Sequence, residues 1–150
     1  MSNLKTGDKA PDFTAQIQNG ETRSLSDYAG KKLVLFFYPK DNTPTCTKEV
    51  CNLRDHYKDF QNKGYELLGV NADSAKKHQN FINKFELPFD LLVDTDNKMA
   101  HDYGAWGEKQ MYGKTFEGIL RTTFVIDENG LIENIIEKVK AVEHSEQILS

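Results

Sequence analysis

The chain has 150 residues, of which 38% are hydrophobic and 28% are charged, with a formal net charge of -4. This length and composition are typical of one soluble domain with a real core, and we predict a single domain over residues 1–150. The negative charge, and a sequence without Lys and Arg clustered among aromatic residues, argue against a nucleic-acid partner. Residues 1–5 contain no apolar signal core and no run is long enough for a membrane span, so we predict a cytoplasmic protein without a membrane partner.

The first predicted elements are a hairpin and a buried strand. Residues 13–17 and 22–25 flank Asn19-Gly20, a dipeptide typical of tight turns between strands. Residues 33–38 are all apolar and predict a strand that is buried on both faces of a sheet. A helix is predicted after this strand because apolar residues then recur at three- and four-residue spacing. These residues are Val50, Leu53, Tyr57 and Phe60.

Strands and helices alternate in the middle of the chain. Residues 66–71 and 89–93 predict two strands. Between them, Asp73 or Ser74 can cap a helix. That helix has His78, Phe81, Ile82 and Phe85 on one face. The alternation predicts an α/β fold with a mainly parallel central sheet and helices packed on it.

The last third of the sequence is less regular. Residues 99–103 predict a short helix, and residues 104–118 predict an aromatic loop that four glycines interrupt. Residues 121–127 and 131–139 predict a second hairpin, and residues 141–149 predict a short terminal helix.

The two cysteines, Cys46 and Cys51, lie where the strand of residues 33–38 leads into the following helix. The first turn of a helix has unpaired backbone N–H groups, which favour an anion placed against them. Helix N-termini and nearby cations lower a cysteine pKa from about 8.5 to between about 3.5 and 7.5, and the thiolate is the reactive form. The position therefore favours a nucleophilic Cys46. The alternative is a small buried apolar residue, as most free cysteines are.

A static disulfide between Cys46 and Cys51 is a poor interpretation. In an intact helix their Cα atoms would be about 8 to 9 Å apart. A disulfide needs Cα atoms closer than about 7 Å. If the two cysteines bond, the helix between them must unwind.

Arg121 and the residues around Cys46 are further candidates. Arg121 opens a predicted strand, and it can reach the edge where Cys46 lies only if that strand runs antiparallel to residues 33–38. Thr43 can hydrogen-bond a molecule that Cys46 attacks, and Pro39 can shield the sulfur from water. The alternatives are a surface arginine, an N-cap threonine and a proline that ends a strand.

This pattern resembles the peroxiredoxins. Pro39, Thr43 and Cys46 match the family's P-x-x-x-T-x-x-C arrangement, and Cys51 follows five residues later. This spacing is similar to that of the group containing bacterioferritin comigratory protein and the Q-type peroxiredoxins. Residues 103–109 and 118–127 also resemble that group. The similarity runs from about residue 7 to the end.

The resemblance implies a thioredoxin-like fold, with a central mixed sheet flanked by helices and an N-terminal hairpin. It also implies a thiol peroxidase that reduces hydrogen peroxide and alkyl hydroperoxides without a cofactor or metal. Cys46 would attack the O–O bond and become a sulfenic acid, and Cys51 would resolve it as an intramolecular disulfide. Pro39, Thr43 and Arg121 would form the pocket. The implied partners are a hydroperoxide and thioredoxin or a similar dithiol reductant, with the chain as a monomer or weak homodimer.

Other classes of function remain as alternatives. A thioredoxin-like disulfide oxidoreductase would be expected to carry Cys-x-x-Cys, and a binding module would have inert cysteines. A zinc or haem site is disfavoured because Cys46, Cys51 and His56 spread around three sides of one helix. Glu49 is predicted to be a solvated carboxylate on the helix face, with polarisation of Arg121 or Thr43 as the alternative. His78 and His101 are predicted to be surface or packing residues.

Overall fold

The computed structural model describes residues 4–150, except the side chain of Met111, and it contains a seven-stranded sheet and a separate two-stranded hairpin. Residues 1–5 are the segment predicted to lack a signal core, and residues 1–3 of it lie outside the residues that the structure describes. The strands are β1 (Thr14–Ile17), β2 (Thr22–Ser24), β3 (Lys32–Phe37), β4 (Tyr65–Asn71), β5 (Asp90–Val93), β6 (Trp106–Met111), β7 (Lys114–Ile119), β8 (Thr122–Ile126) and β9 (Ile132–Ile136). The helices are α1 (Pro44–Asp55), α2 (Tyr57–Asn62), α3 (Ala75–Phe85), α4 (Lys98–Asp102) and α5 (His144–Leu149), with 3₁₀ turns at Leu25–Tyr28 and Ala141–Glu143.

The strands of the large sheet lie in the order β2-β1-β5-β4-β3-β8-β9. Only β3–β4 and β4–β5 are parallel among the described pairs, so the expectation of a mainly parallel sheet is wrong. The reason is that a hairpin near each end of the chain adds antiparallel strands: β1 pairs with β5, and β8 pairs with β3. The α/β fold with a central mixed sheet, which the resemblance implies, is confirmed.

Strand β3 divides the interior into two cores. Successive side chains of a strand point to opposite faces of the sheet. Leu33, Leu35 and Phe37 therefore pack into a core that includes residues of α4. Val34, Phe36 and Tyr38 pack into the core that contains Cys46 and the other buried apolar residues of α1, α2 and α3. Residues 33–38 are all buried, which confirms the predicted strand between two packed layers.

The prediction of a loop over residues 104–118 is wrong. The segment forms the antiparallel hairpin β6–β7. Its turn contains Tyr112 and Gly113 at φ +53° and +76°, and positive φ at both central residues is typical of a type I′ turn. The first four residues of β7 are exposed, so burial imposes no alternating pattern by which the sequence would reveal the strand.

The helix predicted after β3 is present, but it is interrupted. Helix α1 ends at Asp55 and α2 begins at Tyr57, with His56 at φ -111° between them. The His56 ring nitrogen Nδ1 lies 2.9 Å from the carbonyl oxygen of Asn52, so a side chain replaces part of the helical hydrogen bonding. No helix in the described chain combines the length and the apolar composition needed to cross a bilayer.

Candidate active site

The junction between β3 and α1 places Cys46 in the first turn of a helix, as predicted. Thr43 is the N-cap residue, with extended backbone angles, and Pro44 is the first helical residue. Proline is favoured there because its fixed φ suits a helix and it has no N–H to leave unpaired. Cys46 is the third residue of α1 and is fully buried. Its sulfur therefore lies where the positive end of the helix dipole stabilises negative charge.

Arg121 lies directly against this sulfur. Strand β8 runs antiparallel to β3, with Thr122 opposite Phe37. This orientation is the one that Arg121 needs in order to reach the sheet edge where Cys46 lies. Its Nη2 group donates a hydrogen bond to Cys46 Sγ at 3.3 Å. Its Nη1 group donates to Glu49 Oε1 at 2.7 Å. Burial lowers the pKa of Arg121, but Glu49 and Cys46 outweigh this effect and the net shift is upward.

Glu49 is not the solvated carboxylate that the sequence predicts. Its side chain is fully buried, and one oxygen accepts the hydrogen bond from Arg121. Burial raises the pKa of Glu49 to about 7, although the charge of Arg121 opposes this shift. The contact with Arg121 is compatible with the alternative, in which Glu49 polarises Arg121.

His144, on α5, completes the buried polar cluster, and the sequence analysis missed it. Its Nε2 lies 2.7 Å from Thr123 Oγ1 and 3.7 Å from Glu49 Oε2. Its Nδ1 lies 2.8 Å from Gln147 Oε1. Burial is the main cause that lowers the pKa of His144 to about 4, and the charge of Arg121 acts in the same direction. The available signal was the spacing of His144 and Ile148, which places both on one face of α5.

The other predicted site residues lie near this cluster but make different contacts. Thr43 is half-buried, and its hydroxyl donates to the carbonyl oxygen of Lys40 at 3.0 Å. Pro39 is half-buried and follows the end of β3. Cys51 is half-buried in the second half of α1, and both cysteines are free thiols. The structure thus brings Cys46 and Arg121 into contact. Cys51 lies on the same intact helix as Cys46, α1.

A second buried polar cluster holds the loop before α1. Asp41 accepts hydrogen bonds from Tyr38 at 2.6 Å and from Asn71 at 3.0 Å. Its other oxygen lies 2.6 Å from Nδ1 of the fully buried His78. Burial, and then Asp41, raise the pKa of Tyr38 well above its ordinary value. His78 is therefore a buried packing residue and not a surface residue, and its ring also contacts the carboxyl group of Asp41.

Lys109, on β6, is a further cation near the site. Its side chain is half-buried and lies over Gly118 on the paired strand β7. A Cβ atom added at Gly118 would be 3.3 Å from the Cδ atom of Lys109. Burial lowers its pKa, and the charge of Arg121 adds to this effect while Cys46 opposes it. The β6–β7 hairpin thus brings a second positive charge within electrostatic range of Cys46.

Comparison with known proteins agrees with this geometry. The family model described as the AhpC/TSA family matches residues 6–135. Peroxiredoxin Bcp of Bacillus subtilis is 44% identical over 146 residues, covering 97% of this chain and 93% of that protein. A crystal structure of a PrxQ mutant of Xylella fastidiosa is 32% identical, with a TM-score of 0.92, over 99% of this chain and 95% of that chain.

A third relative, the bacterioferritin comigratory protein of Xanthomonas campestris, has a structure determined in a study of its alkyl peroxide reduction activity. It is 34% identical, with a TM-score of 0.88, over 99% of this chain and 95% of that chain. The family model covers most of the sequence, and the similar proteins align over nearly their full length. The chain therefore belongs to the AhpC/TSA family and is a peroxiredoxin of the Bcp and Q type, a thiol peroxidase.

Proposed function

We propose that Cys46 is the residue that attacks the peroxide and that it reacts as a thiolate. The sulfur forms a bond to the terminal peroxide oxygen as the O–O bond breaks, which oxidises Cys46 to a sulfenic acid and reduces the peroxide to an alcohol or water. The observation that carries this proposal is the 3.3 Å hydrogen bond from Arg121 to Cys46 Sγ. A permanently charged donor against a buried sulfur stabilises its anionic form.

The same groups can stabilise the transition state. Negative charge moves from the sulfur to the leaving oxygen, so donors must face both positions. Arg121 is held by Glu49 at 2.7 Å, and the first turn of α1 directs backbone N–H groups towards this region. We assign Thr43 as a residue that binds the peroxide: its hydroxyl hydrogen is donated to the Lys40 carbonyl oxygen, so its oxygen can accept a hydrogen bond from the peroxide O–H. We assign Pro39 as the residue that shields the sulfur from water.

Cys51 is the proposed resolving residue. A sulfenic acid condenses with a thiol to form a disulfide, with loss of water, and this protects the sulfur from irreversible oxidation. Cys46 and Cys51 are in the same helix, where Cα atoms five residues apart are about 8 to 9 Å from each other. A disulfide requires less than about 7 Å, so α1 must unwind before the bond can form.

The peroxide and the reductant follow from these assignments. We propose hydrogen peroxide and alkyl hydroperoxides as substrates, a proposal supported by the alkyl peroxide reduction studied in the Xanthomonas campestris relative. A dithiol protein of the thioredoxin type would reduce the disulfide by thiol–disulfide exchange. A cytoplasmic location suits this cycle because that compartment keeps thiols reduced. We propose a monomer or a weak homodimer as the working form.

The test is peroxide consumption with thioredoxin by the wild type, Cys46→Ser and Cys51→Ser. We expect Cys46→Ser to abolish the reaction, because the other free thiol, Cys51, lies in the second half of α1 and not in its first turn. Cys51→Ser should complete one turnover and stop, leaving a sulfenic acid that dimedone labels. Equal steady-state activity of the three proteins would contradict both cysteine assignments.

A further inference from the structure

Glu49 has one oxygen for which the structure provides no donor. Its Oε1 atom accepts a hydrogen bond from Arg121, but no described residue donates a hydrogen bond to the fully buried Oε2 atom. An ionised carboxylate oxygen without a donor is costly in a buried site, because desolvation is not compensated. A protonated carboxyl group places its hydrogen on that oxygen and removes the charge. The geometry thus favours a proton on Oε2.

The hydrogen bonds of His144 explain why it does not act as that donor. The Oε1 atom of Gln147 accepts from the backbone N–H of Lys140 at 2.9 Å, which fixes this atom as an oxygen. It also faces His144 Nδ1, which must therefore carry a hydrogen. Nε2 of a neutral His144 is then an acceptor, and it receives the Thr123 hydroxyl at 2.7 Å. An unprotonated nitrogen 3.7 Å from Glu49 Oε2 cannot donate to it.

The charges around Glu49 depend on the state of Cys46. The groups that face this part of the site are Cys46 on the same helix, Arg121 before β8, His144 on α5 and, within electrostatic range, Lys109 on β6. While the sulfur is anionic, it and Glu49 share the guanidinium of Arg121. When the sulfur becomes a neutral sulfenic acid, Glu49 is the remaining partner of Arg121. An adjacent cation favours the ionised form of a carboxyl group.

We propose that Glu49 stores a proton in the reduced protein and releases it when Cys46 is oxidised, so that the site supplies the proton that peroxide reduction consumes. This inference rests on the proposed reaction of Cys46. Without Glu49, the step is Cys46–S⁻ + ROOH + H⁺ → Cys46–SOH + ROH. With Glu49, it is Cys46–S⁻ + Glu49–COOH + ROOH → Cys46–SOH + Glu49–COO⁻ + ROH. In both, the sulfur loses two electrons, the O–O bond breaks and the leaving oxygen receives a proton.

The elevated pKa of Glu49, about 7, supports this storage at neutral and slightly acidic pH. Glu49 does not touch the peroxide in this scheme. It positions Arg121 and sets the proton content of the site, and the proton reaches the leaving oxygen by exchange through solvent at the pocket. The proposal therefore predicts the net number of protons taken up when Cys46 is oxidised, and not only the rate of that oxidation.

The test measures proton uptake with a pH-indicator dye near pH 6. Reduced Cys51→Ser protein receives one equivalent of hydrogen peroxide, and dimedone labelling measures the sulfenic acid formed. We expect nearly no uptake for Cys51→Ser, because Glu49 supplies the proton, and uptake of about one proton for Cys51→Ser/Glu49→Gln. The matched control is Cys51→Ser/Glu146→Gln, since Glu146 is exposed on α5 and should leave the balance unchanged.

A second measurement needs no peroxide. Iodoacetamide removes the charge of a Cys46 thiolate without consuming or releasing a proton, once absorbance near 240 nm has shown that the thiolate is present. We expect alkylation to release about one proton from Cys51→Ser and none from Cys51→Ser/Glu49→Gln. Equal proton balances in the two proteins, with sulfenic acid trapped in both, would overturn the proton store and leave the peroxidase mechanism standing. Absence of trapped sulfenic acid would overturn the mechanism itself.

Discussion

A buried carboxyl group one helical turn from Cys46 makes the stability of the folded protein depend on pH. The ordinary pKa of a glutamate is 4.5, and burial raises that of Glu49 to about 7. The folded protein therefore binds a proton at Glu49 more tightly than the unfolded chain does. Between these two values unfolding releases that proton, so the contribution of Glu49 to the free energy of unfolding falls as the pH rises.

Glu49→Gln removes this dependence and keeps an oxygen that can accept the hydrogen bond from Arg121. We expect the wild type to lose up to about 3 kcal/mol of stability relative to Glu49→Gln as the pH rises from below 4.5 to above 7. Urea unfolding of the two reduced proteins at several pH values measures this difference. His144 has the opposite dependence, because its lowered pKa makes stability fall at acidic pH, but it is present in both proteins and cancels. A difference that stays constant with pH would contradict the buried proton.

The residues of this site differ in how well the sequence predicts them. Cys46, Thr43 and Pro39 are close together in the chain, so local spacing is sufficient to place them at one strand-to-helix junction. Glu49 and His144 are polar residues on predicted helices, and such residues usually lie on the solvated face. Their burial depends on contacts with Arg121 and Thr123, which are distant in sequence. Helical spacing can place such a residue on a buried face, but it does not identify the distant residue that it contacts there.

At the scale of elements, the proposed cycle requires an α1 that is stable enough to hold Cys46 and weak enough to unwind. The C-terminal segment packs on this helix through Asn52, the neighbour of Cys51. The Asn52 side chain donates to the carbonyl oxygen of Val142 at 3.1 Å and accepts from the backbone N–H of Ser145 at 2.7 Å. Unwinding α1 around Cys51 separates these groups. The two hydrogen bonds therefore oppose the step that brings Cys51 to Cys46.

Asn52→Ala removes both hydrogen bonds, and we expect it to speed disulfide formation after peroxide oxidation. Two hydrogen bonds contribute about 1 to 2 kcal/mol, which corresponds to a rate increase of about 5- to 30-fold if α1 is unwound in the transition state. Acid quenching followed by mass spectrometry of the unreduced protein measures the rate. Asn83→Ala is the matched control, because Asn83 bonds only to Gln79 on α3 in the interactions described. A rate equal to that of the wild type would show that α1 does not unwind at Asn52 before the bond forms.

The predicted elements were most accurate where one face of an element is buried. The strands of residues 66–71 and 89–93 and the helix capped by Ser74 were found because their apolar patterns reflect packing on the central sheet. The β6–β7 hairpin was missed because most of β7 faces solvent. Its strands are specified by their pairing and by the turn at Tyr112 and Gly113, not by a buried stripe.

At the scale of the whole molecule, the sheet supports a site that we propose to rearrange during the reaction. The antiparallel pairing of β8 with β3 places Arg121 beside a cysteine that lies 75 residues earlier in the chain. Both strands are buried between the two cores, whereas α1 has one face towards the sheet and several exposed residues on the other. Local opening occurs where few buried contacts hold the backbone. The sheet is therefore expected to keep its structure while α1 opens.

Hydrogen exchange should locate this opening when the reduced protein is compared with the protein oxidised by one equivalent of peroxide. We expect faster exchange in residues 44–55, because the disulfide is incompatible with an intact α1, and in residues 141–149, because Asn52 no longer anchors that segment. Strands β3, β4 and β8 should exchange at unchanged rates. Cys51→Ser treated with the same peroxide is the control, since its sulfenic acid forms without unwinding and its exchange should match that of the reduced protein. Unchanged exchange of residues 44–55 in the wild type would exclude unwinding of α1 as the route to the disulfide. Equal increases in both oxidised proteins would contradict the expectation that the disulfide, and not the sulfenic acid, opens the helix.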